Sequence, residues 1–168
     1  MCSSVLQMKS SLYVSMLLLF VTVFMMLSVY FDWINLHIQI GPYFIHHWLS
    51  WTGSTFIAIF TPFYYWMKRN KPSSLKNLLR VHIFGNLISF IFISIHFTQQ
   101  ISRPPQFYPD LGTGIVLYPT IFLLVATGFI TRFISYKNKK TLLFVHKAVT
   151  ATFYLTIVIH ILHGIGII

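Results

Sequence analysis

The stretch LLRVHIFGNLISFIFISIHFT, residues 78–98, is long and apolar enough to cross a bilayer as one helix, and it carries two histidines. A transmembrane helix needs about 20 mostly apolar residues, because each residue of helix rises about 1.5 Å. Four further stretches have the same character, namely residues 12–31, 43–67, 114–135 and 141–165. The sequence therefore predicts an all-α, polytopic membrane protein that forms a bundle of five transmembrane helices.

The composition of the chain excludes an ordinary soluble domain. Of its 168 residues, 56% are hydrophobic and 18% are aromatic, whereas only 8% are charged. A soluble domain carries about a quarter charged residues and keeps them at its surface. We therefore expect one domain, residues 1–168, surrounded by the lipid bilayer, with no room for a soluble catalytic or nucleotide-binding domain.

The basic residues that give the net charge of +10 are distributed along the chain as a membrane topology signal. Basic residues that bind nucleic acid form a stripe on a solvated surface. The basic residues of this chain lie instead in short runs between apolar stretches, so we expect no nucleic acid partner. With five crossings, one side of the membrane holds Lys9, Lys68, Arg69, Lys71, Lys76, Arg80, Arg132, Lys137, Lys139, Lys140 and Lys147. The other side holds Arg103 and both acids, Asp32 and Asp110. The positive-inside rule then predicts a cell-membrane protein with a cytoplasmic N-terminus and an outside C-terminus.

Eight histidines in so apolar a chain require an explanation, because ionisable groups within membrane spans are costly and usually functional. His82 and His96 lie fourteen residues apart in the third span, and His146 and His160 lie fourteen apart in the fifth. Fourteen residues of helix return to within about 40° of one face and rise about 21 Å. The third and fifth spans run parallel, since one crossing separates them. His82 therefore shares a depth with His146 near the cytoplasmic side, and His96 shares one with His160 near the outside.

This arrangement predicts two stacked b-type haems, each held by two imidazoles from facing helices. Neutral imidazole is a common axial ligand of haem iron. The only cysteine, Cys2, leaves no CxxCH motif for covalent attachment. Haem propionates need cations near the membrane surfaces, and the candidates are Arg80 and Lys147 on the inner side and Arg103 on the outer side. Gly85, one turn along from the inner histidine of the third span, would let a macrocycle approach the backbone.

These residues resemble the ligand sets of diheme membrane cytochromes. Two His-x13-His pairs on helices separated by one crossing recur in the cytochrome b of quinol oxidation complexes. They also recur in the ferric-reductase-like transmembrane domain of NADPH oxidases and their bacterial relatives. The second family is the nearer match, because its ligands lie on the third and fifth spans, and residues 143–163 are similar to its last ligand helix. The likeness covers residues 43 to 166, and it implies that His82, His96, His146 and His160 are the four axial ligands of two haem b groups.

The chain also departs from both families. The reductases usually have a sixth span, followed in many members by a flavin- and NADPH-binding domain, and this sequence has no GxGxxG loop. Quinol-oxidising cytochrome b has later helices that build much of its quinone site. We therefore expect an electron-transfer subunit of a larger oxidoreductase rather than a free-standing enzyme. Its electrons would be exchanged with a membrane quinol or with a partner subunit.

The other four histidines have no single predicted role. His163 is an alternative to His160 as a ligand, although a surface hydrogen bond is the simpler role. Around the start of the second span lie His37, His46, His47 and Asp32. They suit a metal ion, a quinone head group or a proton relay, but adjacent histidines of a helix point about 100° apart, so that one would have to turn away from a shared metal. An interfacial cluster beside the aromatic residues is therefore favoured, and those residues are Tyr43, Trp48 and Trp51.

Two hypotheses of other classes compete with electron transfer. One is a non-redox membrane anchor or assembly subunit, whose histidines only pack and form hydrogen bonds. The other is a copper- or zinc-dependent membrane enzyme subunit that uses the histidines around the second span. Neither hypothesis requires the repeated spacing of fourteen, which is the feature that favours haem ligation.

Overall fold

The computed structural model describes residues 2–71, 75–106, 111–134, 139–164 and 167, with side chains from residue 9 onward. The described residues form five helices and one hairpin: α1 (Cys2–Tyr30), β1 (Gln39–Ile40), β2 (Tyr43–Phe44), α2 (Ile45–Asn70), α3 (Leu75–Ile101), α4 (Gly114–Phe133) and α5 (Lys139–Gly164). The predicted all-helical class is confirmed. The chain divides into two compact units, residues 1–99 and residues 100–168.

Four of the helices are long and apolar enough to cross a membrane, and these are Lys9–Tyr30 of α1 and the whole of α3, α4 and α5. Many of their exposed side chains are large and apolar, as lipid contact requires, and Phe20 of α1 is 68% exposed. α2 has 26 residues but is less apolar, because it begins with a pair of histidines and ends with Lys68 and Arg69. The four helices are consistent with an integral membrane protein.

The helices extend beyond the predicted spans at their polar ends. α1 begins at Cys2 rather than at residue 12, and α3 covers Leu75–Ile101 rather than 78–98. Helical hydrogen bonding continues through polar residues that a hydropathy pattern leaves out, so the two boundaries differ. Several predicted positions lie outside the described residues, and these are Ser135, Ile165, Lys137 and Asp110.

A short hairpin before α2 was not predicted from the sequence. β1 and β2 pair in antiparallel fashion, with Ile40 opposite Tyr43. Gly41 makes the turn with a φ of 63°, a conformation that glycine adopts without strain. The indole N–H of Trp48 donates to the carbonyl oxygen of Ile40 at 3.0 Å, which holds the hairpin against the first turns of α2. α2 consequently begins at residue 45 instead of 43.

In the first unit, α3 packs against both α1 and α2. The buried side chain of Val29 on α1 lies in one apolar cluster with Ile91 and Ile95 of α3. α2 lies close to the backbone of α3 at Gly53, where an added Cβ would lie 2.9 Å from the carbonyl oxygen of Ser89. Small residues allow the backbones of membrane helices to come this close. α3 is therefore the helix around which this unit is organised.

The second unit is an antiparallel pair, α4 and α5. Thr113 contacts His160 and Thr127 contacts His146, so that later residues of one helix meet earlier residues of the other. The buried apolar side chains of the pair are Leu117, Ile121, Phe153 and Ile157. This register determines which residues of α4 meet the histidines of α5.

Candidate functional site

Both predicted ligand histidines of α5 face α4, and each one contacts a threonine hydroxyl. The Nδ1 atom of His146 lies 2.9 Å from Oγ1 of Thr127. The Nδ1 atom of His160 lies 2.9 Å from Oγ1 of Thr113, the N-cap residue of α4. The two threonines are fourteen residues apart, as the two histidines are. Both histidines of α5 thus contact a threonine hydroxyl, at two levels along the helix pair.

A glycine follows each of these threonines and leaves room for the imidazole. A Cβ added at Gly128 would lie 3.3 Å from Cε1 of His146, and one added at Gly114 would lie 3.4 Å from Cε1 of His160. The first distance is tighter than an ordinary contact, so a larger residue at Gly128 would press on the ring of His146, whereas a Cβ at Gly114 would touch the ring of His160. Each histidine of α5 therefore packs against a Thr-Gly dipeptide, which we call a Thr-Gly pair.

The hydrogen bonds around His146 favour a ring proton on Nδ1. The hydroxyl of Thr127 has a single hydrogen and donates it to the carbonyl oxygen of Leu123 at 2.7 Å. When the hydroxyl gives its hydrogen to a backbone carbonyl of α4, its oxygen accepts a proton from the imidazole, which favours a proton on Nδ1. With Nδ1 protonated, the lone pair of the neutral ring lies on Nε2, and a metal ion binds such a lone pair.

Both predicted ligand histidines of α3 face α2. The ring of His82 stacks on Tyr64 with 4.5 Å between their centroids, and its Nδ1 lies 3.3 Å from the amide nitrogen of Asn86. His96 lies towards the other end of the contact between the helices, with its ring centroid 5.5 Å from that of His46. In each unit, two histidines fourteen residues apart thus face the preceding helix.

His46, His47 and His96 form a group that could hold a metal ion. Each offers one ring nitrogen, and the three nitrogens lie within 4.8 Å of one another. The expectation that one of the two adjacent histidines must turn away is wrong. Their rings are 4.2 Å apart, and the ring of His96 lies 5.1 Å from that of His47. Because α3 brings His96 beside the first turn of α2, one ring can meet both neighbours despite the angle between them.

Aromatic and amide groups surround this histidine group. Phe44 of β2 stacks on His46 with 5.7 Å between the ring centroids. His37 lies beside Phe44 and is held by two amides, with Gln99 at its Nε2 and Asn35 at its Nδ1, each at 3.2 Å. His37 thus stands next to the group of three as a hydrogen-bonded neighbour.

Asp32, which the sequence placed near these histidines, terminates α1. It adopts the left-handed conformation with a φ of 58°, and its backbone N–H donates to the carbonyl oxygen of Val29 at 3.2 Å. Its side chain is exposed. Its position therefore indicates a helix-terminating role.

The predicted aromatic cluster is present at the start of α2. Tyr43 lies 4.8 Å from Trp51 and Trp51 lies 5.2 Å from Trp48, measured between ring centroids. All three side chains are exposed. Aromatic rings with one polar atom suit the boundary between lipid and water, so this end of α2 fits a membrane interface.

The predicted haem-contacting residues other than histidine lie in different settings. Arg80 and Arg103 are half-buried, whereas Lys147 is exposed. Gly85 packs against the phenyl ring of Phe56. The sequence predicts that a haem macrocycle would lie beside Gly85. In the structure this space is filled by the side chain of Phe56 from α2.

His163, the alternative ligand to His160, differs from it in its surroundings. An added Cβ at Gly112 would lie 3.3 Å from Cδ2 and Nε2 of His163. His163 is exposed, whereas His160 is half-buried against its threonine. Of the two histidines, His160 is therefore the more enclosed.

Sequence reasoning missed the partners of the histidines. The signal for two of them is visible, because Thr-Gly occurs at 113–114 and 127–128, at the same interval as the histidines of α5. Asn86 lies one turn from His82, the spacing at which helical side chains meet. Tyr64 has no such signal, because only the packing of α2 on α3 brings it to His82.

The described helices define an all-helical protein with four candidate membrane spans and with histidines gathered on helix faces in both of its units. Comparison with protein-family models, curated proteins and solved structures finds no match to this chain. The function must therefore be inferred from the site residues themselves.

Proposed function

We propose that this protein transfers electrons across a membrane through two b-type haems, as the cytochrome b subunit of a larger redox complex. One observation carries the proposal: both α5 histidines with the spacing of fourteen lie within hydrogen-bond distance of a threonine hydroxyl through Nδ1. A histidine that ligates a metal through one ring nitrogen almost always hydrogen-bonds a neighbour through the other. The donor set on α5 therefore fits the axial ligation of haem iron.

The four histidines would act as two ligand pairs. His82 and His146 would hold the inner haem, and His96 and His160 would hold the outer haem. This pairing of α3 with α5 rests on the spacing in the sequence and on the parallel course predicted for the third and fifth spans. When bound, haem supplies a reversible one-electron couple. The chain itself would ligate the iron, orient the imidazoles of α5 through their Nδ1 atoms and exclude water with its apolar helices.

The proposal includes five crossings, with α2 as the remaining span. Lys68 and Arg69 at the end of α2 then lie on the same cytoplasmic side as Arg80 and Lys147, which would neutralise the inner propionates. Arg103, just after α3, would serve the outer haem. Electrons would be exchanged with a membrane quinol or with a partner subunit.

A difference spectrum tests the proposal directly. Dithionite-reduced minus air-oxidised absorbance of the purified protein, with a pyridine haemochrome count, should show a b-type α-band and two haems per chain. His82→Gln and His146→Gln should each remove the same haem, whereas the exposed His163→Gln should keep both. Folded protein without haem in native membranes would contradict the proposal and favour the membrane anchor.

A second candidate function is supported by the group of His46, His47 and His96. Three imidazole nitrogens within 4.8 Å of one another suit Zn²⁺ or copper and leave a coordination position for water or substrate. His96 is common to both candidate sites, so metal binding with His46 and His47 would compete with its role as a haem ligand.

Metal analysis separates the two candidates. A metal-dependent membrane enzyme should contain one zinc or copper per chain, and it should lose that metal in His46→Ala and His47→Ala. His37→Ala is the matched control, because His37 is adjacent but outside the group of three. Two haems per chain that survive His46→Ala, without zinc or copper, would exclude the metal enzyme.

A further inference from the structure

We infer that α4 orients the ligands of α5: each Thr-Gly pair holds its imidazole so that Nε2 is presented to the haem iron. This inference rests on the proposed function and extends it to positioning residues. Thr127 and Thr113 act through the Nδ1 atoms of His146 and His160, and Gly128 and Gly114 act through the room they leave.

The threonine contributes a hydrogen bond that fixes the orientation of the imidazole ring. Because the hydroxyl hydrogen of Thr127 is given to the carbonyl oxygen of Leu123, its oxygen is left as an acceptor facing Nδ1 of His146. Rotating the ring by half a turn would put a carbon in place of Nδ1 and break this bond. The hydrogen bond therefore selects one ring orientation, and it raises the electron density that Nε2 can donate.

The glycine allows the imidazole ring to lie close to the α4 backbone. The ring atom nearest to a Cβ added at Gly128 is Cε1 of His146, the carbon between the two nitrogens, and the same atom of His160 is nearest to a Cβ at Gly114. The ring edge that carries Nδ1 therefore lies against the α4 backbone. An added methyl group would push this edge outward, moving both the hydrogen bond and the direction of Nε2.

A third threonine provides an internal comparison. Thr120 lies seven residues from both Thr113 and Thr127, and its hydroxyl donates to the carbonyl oxygen of Val116 at 2.8 Å. Thr113 faces His160 and Thr127 faces His146. The residue of α5 that corresponds to Thr120 in this register is therefore Phe153, which has no ring nitrogen. The hydroxyls of Thr120 and Thr127 are thus both bonded to their own helix, whereas the contact with Nδ1 occurs where α5 carries histidine.

Redox titration and electron paramagnetic resonance of the holoprotein test the inference. Thr127→Val should raise the reduction potential and change the ferric low-spin signal of one haem, because a weaker imidazole donor stabilises ferric iron less. Thr113→Val should change the other haem. Thr127→Ser should restore the wild-type values, and Thr120→Val is the matched control that should leave both haems unchanged.

A second readout follows the imidazole itself. In the reduced, ¹⁵N-histidine-labelled holoprotein, the Nδ1 proton of His146 should be protected from solvent exchange and should lose that protection in Thr127→Val. Two intact haems with potentials, spectra and exchange unchanged in both valine variants would overturn the inference and leave the proposed function standing. Absence of haem from the wild-type protein would overturn the proposed function and this inference with it.

Discussion

Thr127 illustrates how an apolar helix can carry a polar function. A hydroxyl in lipid must be satisfied within the helix, and Thr127 satisfies its hydrogen by donating to Leu123 one turn earlier. Its oxygen still has lone pairs, which meet His146. The hydroxyl of Thr127 can thus satisfy its own hydrogen within the helix and favour one tautomer of His146.

The room beside Gly128 can be tested by adding one methyl group. We expect Gly128→Ala to lower the haem content from two towards one per chain, because the new Cβ would lie 3.3 Å from Cε1 of His146. Folding should not suffer for backbone reasons, since alanine favours a helix over glycine by about 1 kcal/mol. Pyridine haemochrome analysis measures the loss.

Gly164→Ala is the control for this substitution, because nothing lies within 4 Å of the position that its Cβ would take. It should retain both haems. A Gly128→Ala protein with two haems and a wild-type spectrum would contradict the role assigned to this glycine.

The choice between His160 and His163 is a second prediction for single residues. His160→Gln should remove the outer haem, because His160 is half-buried and held at Nδ1 by Thr113. His163→Gln should retain it, since this side chain is exposed. Haem content and the reduced absorbance spectrum distinguish the two, and the reverse pattern would make His163 the ligand.

The contact between α2 and α3 is the feature that matters most at the scale of elements. Gly53 lets the two backbones approach, and the same contact brings His46 to His96 and Tyr64 to His82. The helices themselves were predictable from local hydropathy. The contact between α2 and α3 was not predictable in this way, because it depends on where small residues of one helix meet a neighbouring helix.

Widening this contact should destabilise the first unit. An added Cβ at Gly53 would lie 2.9 Å from the carbonyl oxygen of Ser89, which is backbone and cannot turn aside. We therefore expect Gly53→Ala to cost about 1–3 kcal/mol of unfolding free energy, the usual range for overpacking. Thermal unfolding in detergent measures this cost, with Gly164→Ala as the reference. Equal midpoints in the two variants would show that the contact is looser than the structure indicates.

For the whole molecule, the course of α2 decides how many times the chain crosses the membrane. Four helices meet the length and hydropathy of a span, and α2 would be the fifth. The cation distribution requires α2 to cross if Lys71 and Lys9 are to lie on the same side. The orientation of the chain thus depends on its least apolar helix.

Single-cysteine labelling resolves the crossing of α2. In a Cys2→Ser background, Ile38→Cys before α2 and Lys71→Cys after it place thiols at two exposed positions. We expect an impermeant maleimide to label Ile38→Cys in intact cells and Lys71→Cys only after permeabilisation. Labelling of both from outside would mean that α2 does not cross and that the chain has four spans.

The amino-acid sequence alone determined the helical, membrane-suited character of the chain and the repeated histidine spacing. Both depend on local hydropathy and on the period of one helix, so they are visible without a neighbour. The hairpin at Gly41 was not predicted, because its strands of two residues are too short to show a hydropathy pattern.

Only the tertiary structure decided which groups meet the histidines. His96 joins His46 and His47 from about fifty residues along the chain, and Thr113 reaches His160 through the antiparallel register of α4 and α5. The physical reason is that a helix period specifies which residues share a face, whereas the packing of two helices specifies what that face touches.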